Sequence, residues 1–289
     1  MYAITGITGK VGGEFARTLL AAAEPVRAIV RDAKKGKEWA ALGCELALAE
    51  MEDASALTAA FTGATAVFIL PPSEFDPDPG YTGAQKVIDT VVEALTVAKP
   101  AKALCLSTIG ADAAYDNLLS QRTMMEAALR ELPLPLTILR PAWFIDNAAW
   151  DVASARETGL IHSFLLPTDK AFPMVAAKDV GRVAADLIQE DWSGVRVVEL
   201  EGPRRVTPND IADAFASVIG KPVRAVPVPR ESWEELFRSQ GMRNPQPRIR
   251  MLDGFNEGWI EFQDSGRKAI KGRIDVGAVI ATLVAGAKA

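Results

Sequence analysis

The sequence has 289 residues, of which 49% are hydrophobic and 24% charged, and this composition is typical of a folded globular protein rather than a disordered one. A formal net charge of −5 argues against a dedicated nucleic-acid-binding protein. Two cysteines and one histidine are too few for a disulfide scaffold or the usual zinc sites, so we expect no metal centre.

Neither end of the sequence has a pattern typical of a membrane or secreted protein. The first nine residues contain no Lys or Arg, whereas a signal peptide begins with a basic region. The apolar stretch at residues 276–287 is shorter than the about 20 residues of a membrane span. It predicts a packed C-terminal helix, and we expect a cytoplasmic protein with no membrane partner.

In the first half of the chain, short β-branched runs alternate with longer helical patterns. Between the runs, apolar side chains recur at helical spacing, as at Val87, Ile88, Val91, Val92 and Leu95. This alternation predicts an α/β fold with a Rossmann-type, doubly wound parallel sheet and helices on both faces. The predicted strands are residues 2–5, 26–30, 45–48, 66–70, 103–107 and 136–139.

After about residue 151 the pattern changes, and residues 157–173 form a segment interrupted by Gly and Pro. It precedes a predicted helix with apolar residues at 180, 183, 187 and 188, then strands at 195–200 and 223–228. Between these strands, Thr207, Pro208 and Asp210 have the spacing of a helix start. Residues 244–272 mix Pro, Arg, Gly and aromatics, which predicts no regular core element.

These patterns predict two domains. Residues 1–150 form the dinucleotide-binding Rossmann domain, which residues 176–200 rejoin. The rest of residues 151–289 forms a smaller C-terminal α/β lobe on the substrate side.

The strongest motif is a glycine-rich turn that follows the first predicted strand and opens an apolar helix. Gly6 permits the tight turn, Gly9 lets the backbone approach a pyrophosphate, and Gly12 lets the helix pack close to the strand. The helix N-terminus offers N–H groups to an anion. We expect a dinucleotide to bind here, at Gly6, Thr8, Gly9, Lys10, Val11 and Gly12.

The glycine spacing, the segment at residues 26–32 and the run from Leu139 to Phe144 resemble the atypical short-chain dehydrogenases/reductases. Within that group the chain is similar to the NmrA-like family, which includes NAD(P)H:quinone oxidoreductases and is related to isoflavone-reductase-like enzymes. The resemblance covers most of the chain. It implies an NAD(P)-binding protein and supports the predicted fold.

The end of the second predicted strand distinguishes NADP from NAD. An arginine there accommodates the 2′-phosphate of NADP, whereas an acid binds the ribose 2′-hydroxyl of NAD. Arg31 lies at this position, followed by Lys34 and Lys35, and the resemblance also favours Arg31 as the phosphate ligand. Asp32 is adjacent, so a shift of one residue would favour NAD(H). We expect NADP(H) to be preferred over NAD(H).

The resemblance implies further cofactor contacts. Glu50 matches an acidic position that contacts adenine, and Leu70 and Pro71 match a strand end that passes along the cofactor ribose. After the sixth strand, Pro141, Trp143 and Phe144 match a turn against the nicotinamide. The usual residue at the position of Glu50 is Asp. The other two sets also have purely structural explanations, Leu70 and Pro71 as a strand end and the two aromatics as core packing.

The candidate catalytic residues depart from the usual pattern of the superfamily. Short-chain dehydrogenases use a Tyr and a Lys four residues apart, and none of the three tyrosines has such a lysine. Ser107 matches the active-site serine of the superfamily. Its hydroxyl would donate a hydrogen bond to a substrate carbonyl; alternatively, the residue only terminates the strand. Arg122 matches the acid–base lysine of the isoflavone-reductase-like branch, but arginine does not release a proton near neutral pH.

Two functions therefore stay open. One is a reductase that passes hydride from NADPH to a small aromatic, quinone-like acceptor, which takes its proton from water. The aromatic residues in 251–262 are candidates for the substrate pocket, although their spacing also suits a helix core. The other is a catalytically weak or silent NADP(H) redox sensor that acts through a protein partner.

Overall fold

The structure is a computed structural model that describes residues 1–287. Its strands are short and are numbered here in chain order. They are β1 (Tyr2–Ile4), β2 (Val26–Val30), β3 (Glu45–Leu48), β4 (Ala66–Ile69), β5 (Lys102–Leu106), β6 (Leu136–Pro141), β7 (Trp143–Phe144), β8 (Leu160–Ser163), β9 (Met174–Val175), β10 (Val195–Glu201), β11 (Arg224–Pro227) and β12 (Ile270–Lys271).

The helices alternate with the strands through most of the chain. They are α1 (Lys10–Ala21), α2 (Ala33–Ala41), α3 (Ala54–Phe61), α4 (Thr82–Ala98), α5 (Ser120–Arg130), α6 (Val152–Thr158), α7 (Ala177–Gln189), α8 (Pro208–Ile219), α9 (Trp233–Ser239), α10 (Gln246–Glu257) and α11 (Val276–Gly286). All six strands predicted in the first half are present. Four of the helices, α4, α7, α8 and α11, also lie where the sequence predicts them.

The chain divides into two compact units. The first contains residues 1–111, 119–140 and 180–198, and the second contains residues 112–118, 141–179 and 199–289. In the first unit the strands lie in the order β3-β2-β1-β4-β5-β6, all parallel, with the start of β10 beside β6. This is the strand order of doubly wound dinucleotide-binding folds, and it confirms the predicted α/β fold.

Alternation along β4 separates the two faces of this sheet. Val67 and Ile69 point into an apolar cluster formed with α3, α4 and α5. Phe68, between them, points to the opposite face, where its ring stacks on Phe15 of α1 with centroids 4.2 Å apart. Helices therefore cover both faces, which explains why these strands are apolar throughout.

The turn between β1 and α1 depends on a close backbone approach. Gly6 has a φ of +65°, and its carbonyl accepts a hydrogen bond of 3.0 Å from the Gly9 N–H. A Cβ atom at Gly12 would lie 2.3 Å from the Gly6 carbonyl oxygen, which no real contact permits. A Cβ at Gly9 would meet only that oxygen, at 3.3 Å, and otherwise open space. Gly12 is thus required by the fold, and Gly9 is not.

The second unit contains two small parallel sheets, β8 with β11 and β7 with β9. Its helices are α6, α8, α9, α10 and α11. The end of β10 pairs in parallel with β12. Helix α8 starts as predicted, with a capping box in which Thr207 and Asp210 each bond the other's backbone N–H, and it packs on α11.

The expectation that residues 244–272 contain no regular core element is wrong. Helix α10 occupies Gln246–Glu257 and buries Ile249, Leu252 and Phe255, whose spacing of three residues places them on one face. Its Pro247 lies in the first turn, where no backbone N–H is needed, and Gly258 ends the helix with a φ of +90°. Proline and glycine here mark the two ends of a helix.

None of the helices in residues 1–287 combines the length and the apolar character that crossing a lipid bilayer requires.

One acidic side chain of the second unit is held in an unfavourable environment. Burial raises the pKa of Asp151 from 3.8 to about 6, and a hydrogen bond from the backbone N–H of His162 only partly offsets this effect. The folded state therefore binds a proton more tightly than the unfolded chain. The resulting stabilisation is complete below about pH 4 and is lost as the pH rises through about 6.

We predict that Asp151→Asn makes the protein less sensitive to pH. Asparagine keeps the acceptor for the His162 N–H but carries no charge to desolvate. The free energy of unfolding of the variant minus that of wild type should be about 1 kcal/mol higher at about pH 7.5 than at about pH 5. One pKa unit corresponds to about 1.4 kcal/mol. Urea denaturation at both pH values measures this. If variant and wild type differ in stability by the same amount at both pH values, the pKa of Asp151 is not raised.

We also predict opposite outcomes for one added methyl group at Gly12 and at Gly9. Gly12→Ala should lower the free energy of unfolding by about 1–3 kcal/mol, because the new Cβ forces α1 away from the turn. Gly9→Ala should cost less than about 1 kcal/mol, the scale of an unfavourable residue at a helix N-cap. Thermal and urea denaturation of both variants test this. Equal losses would show that the close approach at Gly12 is not the controlling contact.

Candidate functional site

The N-terminus of α1 lies open at the edge of the sheet where the parallel strands end. Gly9 is its N-cap, no side chain caps the helix, and no acidic residue lies in its first turn. Thr8, Gly9 and Lys10 are exposed, whereas Val11 and Gly12 are buried against the turn. The positive end of the helix dipole therefore lies at an exposed surface, as binding of a phosphate requires.

Thr5, which the sequence reasoning missed, joins this turn to the end of β4. Its buried hydroxyl donates to the Phe68 carbonyl at 3.2 Å and accepts a hydrogen bond of 2.7 Å from the Leu70 N–H. The Leu70 side chain lies against Gly6, within 3.2 Å of where a Cβ there would sit. The turn and the β4 end, both predicted to contact the cofactor, are thus adjacent. A threonine at a strand end carries no sequence signal for this contact.

Arg31 and Asp32 have different roles at the end of β2. The Asp32 carboxylate is the N-cap of α2 and accepts a hydrogen bond of 2.8 Å from the Lys34 N–H. Arg31 is exposed, and within residues 1–287 its side chain forms no hydrogen bond or ion pair. The acid is therefore used by the fold, and the guanidinium remains available for a ligand. Lys34 and Lys35 are exposed on the first turn of the same helix.

Two further predicted cofactor residues lie on the same edge of the first unit. Glu50 follows β3 and has an exposed side chain, whereas the neighbouring Asp53 caps α3 through the Ala56 N–H. Pro71 is buried directly after β4, next to the partly buried Leu70. Their contacts with adenine and ribose stay predictions.

Arg122 holds the loop that follows β4. One of its terminal nitrogens donates to the carbonyls of Pro71 and Pro72, both at 3.1 Å, and to the Ser73 hydroxyl at 3.2 Å. The neighbouring Gln121 adds a bond of 2.9 Å to the Glu74 carbonyl. Burial lowers the pKa of the Arg122 guanidinium. In this structure Arg122 is a donor to a loop, and it borders a cavity of about 200 Å³ with an apolar floor of Val87, Ile88 and Met125.

Ser107 lies directly after β5 and is only 5% exposed. Its hydroxyl donates a hydrogen bond of 2.5 Å to the Glu126 carboxylate of α5. Arg140 at the end of β6 pairs with both oxygens of that carboxylate, at 2.9 and 2.7 Å. The predicted bond from Ser107 to a substrate carbonyl would compete with this interaction. Glu126 carried no signal in the sequence, because only the fold brings it beside Ser107.

The other predicted residues belong to the second unit. Pro141 is buried, and Trp143 and Phe144 are partly buried in β7, where they pair with Met174 and Val175. The Trp143 ring meets Phe255 of α10 edge to face, with centroids 5.2 Å apart. Trp143 therefore packs on an aromatic residue from the predicted pocket segment. A contact between Trp143 or Phe144 and a nicotinamide stays a prediction.

Within the described part of the chain, no three or more His, Cys, Asp or Glu side chains are grouped so that they could hold a metal ion.

The chain is similar to known reductases in sequence and in fold. The chain is 27% identical over 248 residues to the NAD(P)H azoreductase of Xenophilus azovorans, which is 84% of this chain and 82% of that protein. The structure of the NADPH-dependent quinone oxidoreductase of Escherichia coli in complex with NADPH has a TM-score of 0.80 and 22% identity, and covers 98% of this chain and 99% of its own.

The chain is equally similar to the structure of the triphenylmethane reductase of Citrobacter sp. in complex with NADP(H). The TM-score is 0.80 at 22% identity, and the match covers 98% of this chain and 99% of that one. At this identity the structural likeness establishes the fold. The profile of the NmrA-like family matches residues 2–257. Because that match takes in most of the sequence, from β1 to the end of α10, the chain belongs to the NmrA-like family.

Proposed function

We propose that this protein is an NADP(H)-dependent oxidoreductase that passes hydride to an electron-poor, quinone-like aromatic acceptor. The observation that carries the cofactor assignment is the division of roles between Asp32 and Arg31. Asp32 caps α2, whereas the exposed Arg31 has no partner within residues 1–287 and follows the strand next to the glycine turn. A guanidinium in that place suits a 2′-phosphate.

The residues of the first unit fit the rest of such a cofactor. The uncapped N-terminus of α1 would bind the pyrophosphate, and the space beyond Gly9 leaves room for it. Glu50 would accept a hydrogen bond from the adenine amine. The β4 end at Leu70 and Pro71, fixed by Thr5 and Arg122, would lie along the ribose.

The choice of acceptor follows from proton supply. When bound, the reduced nicotinamide supplies a hydride. A quinone that accepts it becomes a hydroquinone anion, which takes its proton from water, whereas a ketone becomes an alkoxide that needs an acid. No Tyr–Lys pair is present in the sequence, Arg122 donates to loop oxygens, and Ser107 donates to Glu126. These residues bind and position, and none is placed to deliver a proton.

The names of the related proteins support an aromatic acceptor, because they describe reduction of azo compounds, quinones and triphenylmethanes. The sensor function and a cytoplasmic location stay predictions from the sequence. The assay below separates the sensor from the enzyme.

We predict that Arg31→Ala weakens NADPH binding selectively. Loss of a charge-assisted contact to the 2′-phosphate should cost about 1.5–3 kcal/mol, and NADH binding should hardly change. Calorimetric titration of both cofactors measures this. Lys35→Ala, which removes a neighbouring exposed charge, is the matched control and should have a much smaller effect. If wild type binds NADH as tightly as NADPH, Arg31 does not select the cofactor.

We predict that wild type oxidises NADPH with a simple quinone at a kcat/KM at least about 100-fold above that with a simple ketone, because an enzyme acid typically contributes 10²–10⁴-fold to carbonyl reduction. Absorbance loss of NADPH measures both rates. Gly9→Val, whose side chain would occupy the pyrophosphate space, controls for reaction off the enzyme and should show background only.

Robust ketone reduction would overturn the acceptor assignment, because it requires a proton donor in the site. Tight NADPH binding without oxidation by any acceptor would instead support the sensor.

A further inference from the structure

A buried polar cluster of Ser107, Glu126 and Arg140 lies between β5, β6 and α5. Ser107, Glu126 and Arg140 are each 5% exposed or less, and all three belong to the first unit. Arg140 makes two bonds to the carboxylate, and Arg130, on the solvent side of α5, adds a third at 3.3 Å. A buried ion pair contributes little net stability compared with apolar packing, so its position beside Ser107 calls for another explanation.

The Glu126 carboxylate fixes the direction in which Ser107 hydrogen-bonds. A carboxylate paired with two guanidinium groups only accepts hydrogen bonds, so the proton of the 2.5 Å bond belongs to Ser107. The hydroxyl has one proton and two lone pairs. Within residues 1–287 no group donates to its oxygen. Ser107 therefore has only acceptor capacity left for a ligand.

Strand order places Ser107 beside one end of the proposed cofactor. The sheet order reverses between β1 and β4, and a dinucleotide spans that point with one half over each set of strands. Arg31, at the end of β2, assigns the adenosine half to β1–β3. The nicotinamide half would then lie over β4–β6. Ser107 directly follows β5 there, and its N–H bonds the Leu139 carbonyl of β6 at 2.7 Å.

We propose that Ser107 accepts a hydrogen bond from the carboxamide NH₂ of a bound nicotinamide, and that Glu126, held by Arg140, is the positioning residue that imposes this direction. The proposal rests on the proposed NADP(H) function. It gives Ser107 a role in binding and orienting the nicotinamide. It also explains why an ionised carboxylate is kept beside a serine at a strand end.

The test compares two oxidised cofactors that differ only in the group that Ser107 would recognise. NADP⁺ carries the carboxamide, and its 3-acetylpyridine analogue has a methyl group in place of the NH₂. Wild type should bind NADP⁺ about three- to tenfold more tightly than the analogue, the scale of one neutral hydrogen bond. In Ser107→Ala that preference should fall by the same factor, through weaker binding of NADP⁺ with the analogue little changed.

Two α5 variants test the role of the carboxylate. Glu126→Gln should also reduce the preference, because an amide NH₂ can donate to Ser107 and release its hydroxyl to turn. Arg130→Ala removes the exposed ion pair to the same carboxylate but leaves the Ser107 bond, so it should keep the wild-type preference. If Glu126→Gln does not fold, the comparison of wild type with Ser107→Ala decides the proposal.

If wild type and Ser107→Ala prefer NADP⁺ over the analogue by the same factor, Ser107 does not have this role. The proposed function would still hold in that case, provided that wild type binds NADP⁺ and reduces quinones. Failure of wild type to bind either NADP⁺ or NADPH would overturn both.

Discussion

The close approach of Gly12 to the Gly6 carbonyl is the contact on which the glycine turn of the candidate site depends. With no Cβ at Gly12, the first turn of α1 packs directly on the end of β1, and its uncapped N-terminus faces the edge of the parallel sheet. Thr5 then fixes the end of β4 beside the same turn through two hydrogen bonds. The Gly12 contact thus positions the open end of α1, and the Thr5 hydrogen bonds position the neighbouring end of β4.

The charged residues around this edge are divided between the fold and a ligand. Asp32 and Asp53 cap helices. Arg122 donates hydrogen bonds to the loop after β4, and Glu126 accepts one from Ser107. Arg31 is the cation left exposed at the end of β2. This division favours a cofactor with an extra phosphate. Because Arg122 and Ser107 both donate to groups of the protein, it also fits the proposed acceptor, which needs only a hydride.

The sequence was sufficient for the sheet because parallel strands buried on both faces leave apolar runs at regular intervals, and glycine spacing locates the turn. It was insufficient for α10, where proline and glycine suggested a loop although Ile249, Leu252 and Phe255 share a buried face. Contacts such as Ser107 with Glu126, or Arg122 with Pro71, join residues far apart in the chain. Only packing of α5 on the sheet creates them, so no local pattern reveals them.

In the proposed function, the protein transfers hydride to a quinone without supplying a proton. Its most direct test is a single-turnover reaction, followed by stopped flow, between a quinone and protein-bound NADPH deuterated at carbon 4. We expect a primary isotope effect on a rate that is constant from about pH 7 to pH 9 and is unchanged in deuterated water. A rate that follows a titration curve in that range, or that slows in deuterated water, would show that the protein provides a proton in the same step.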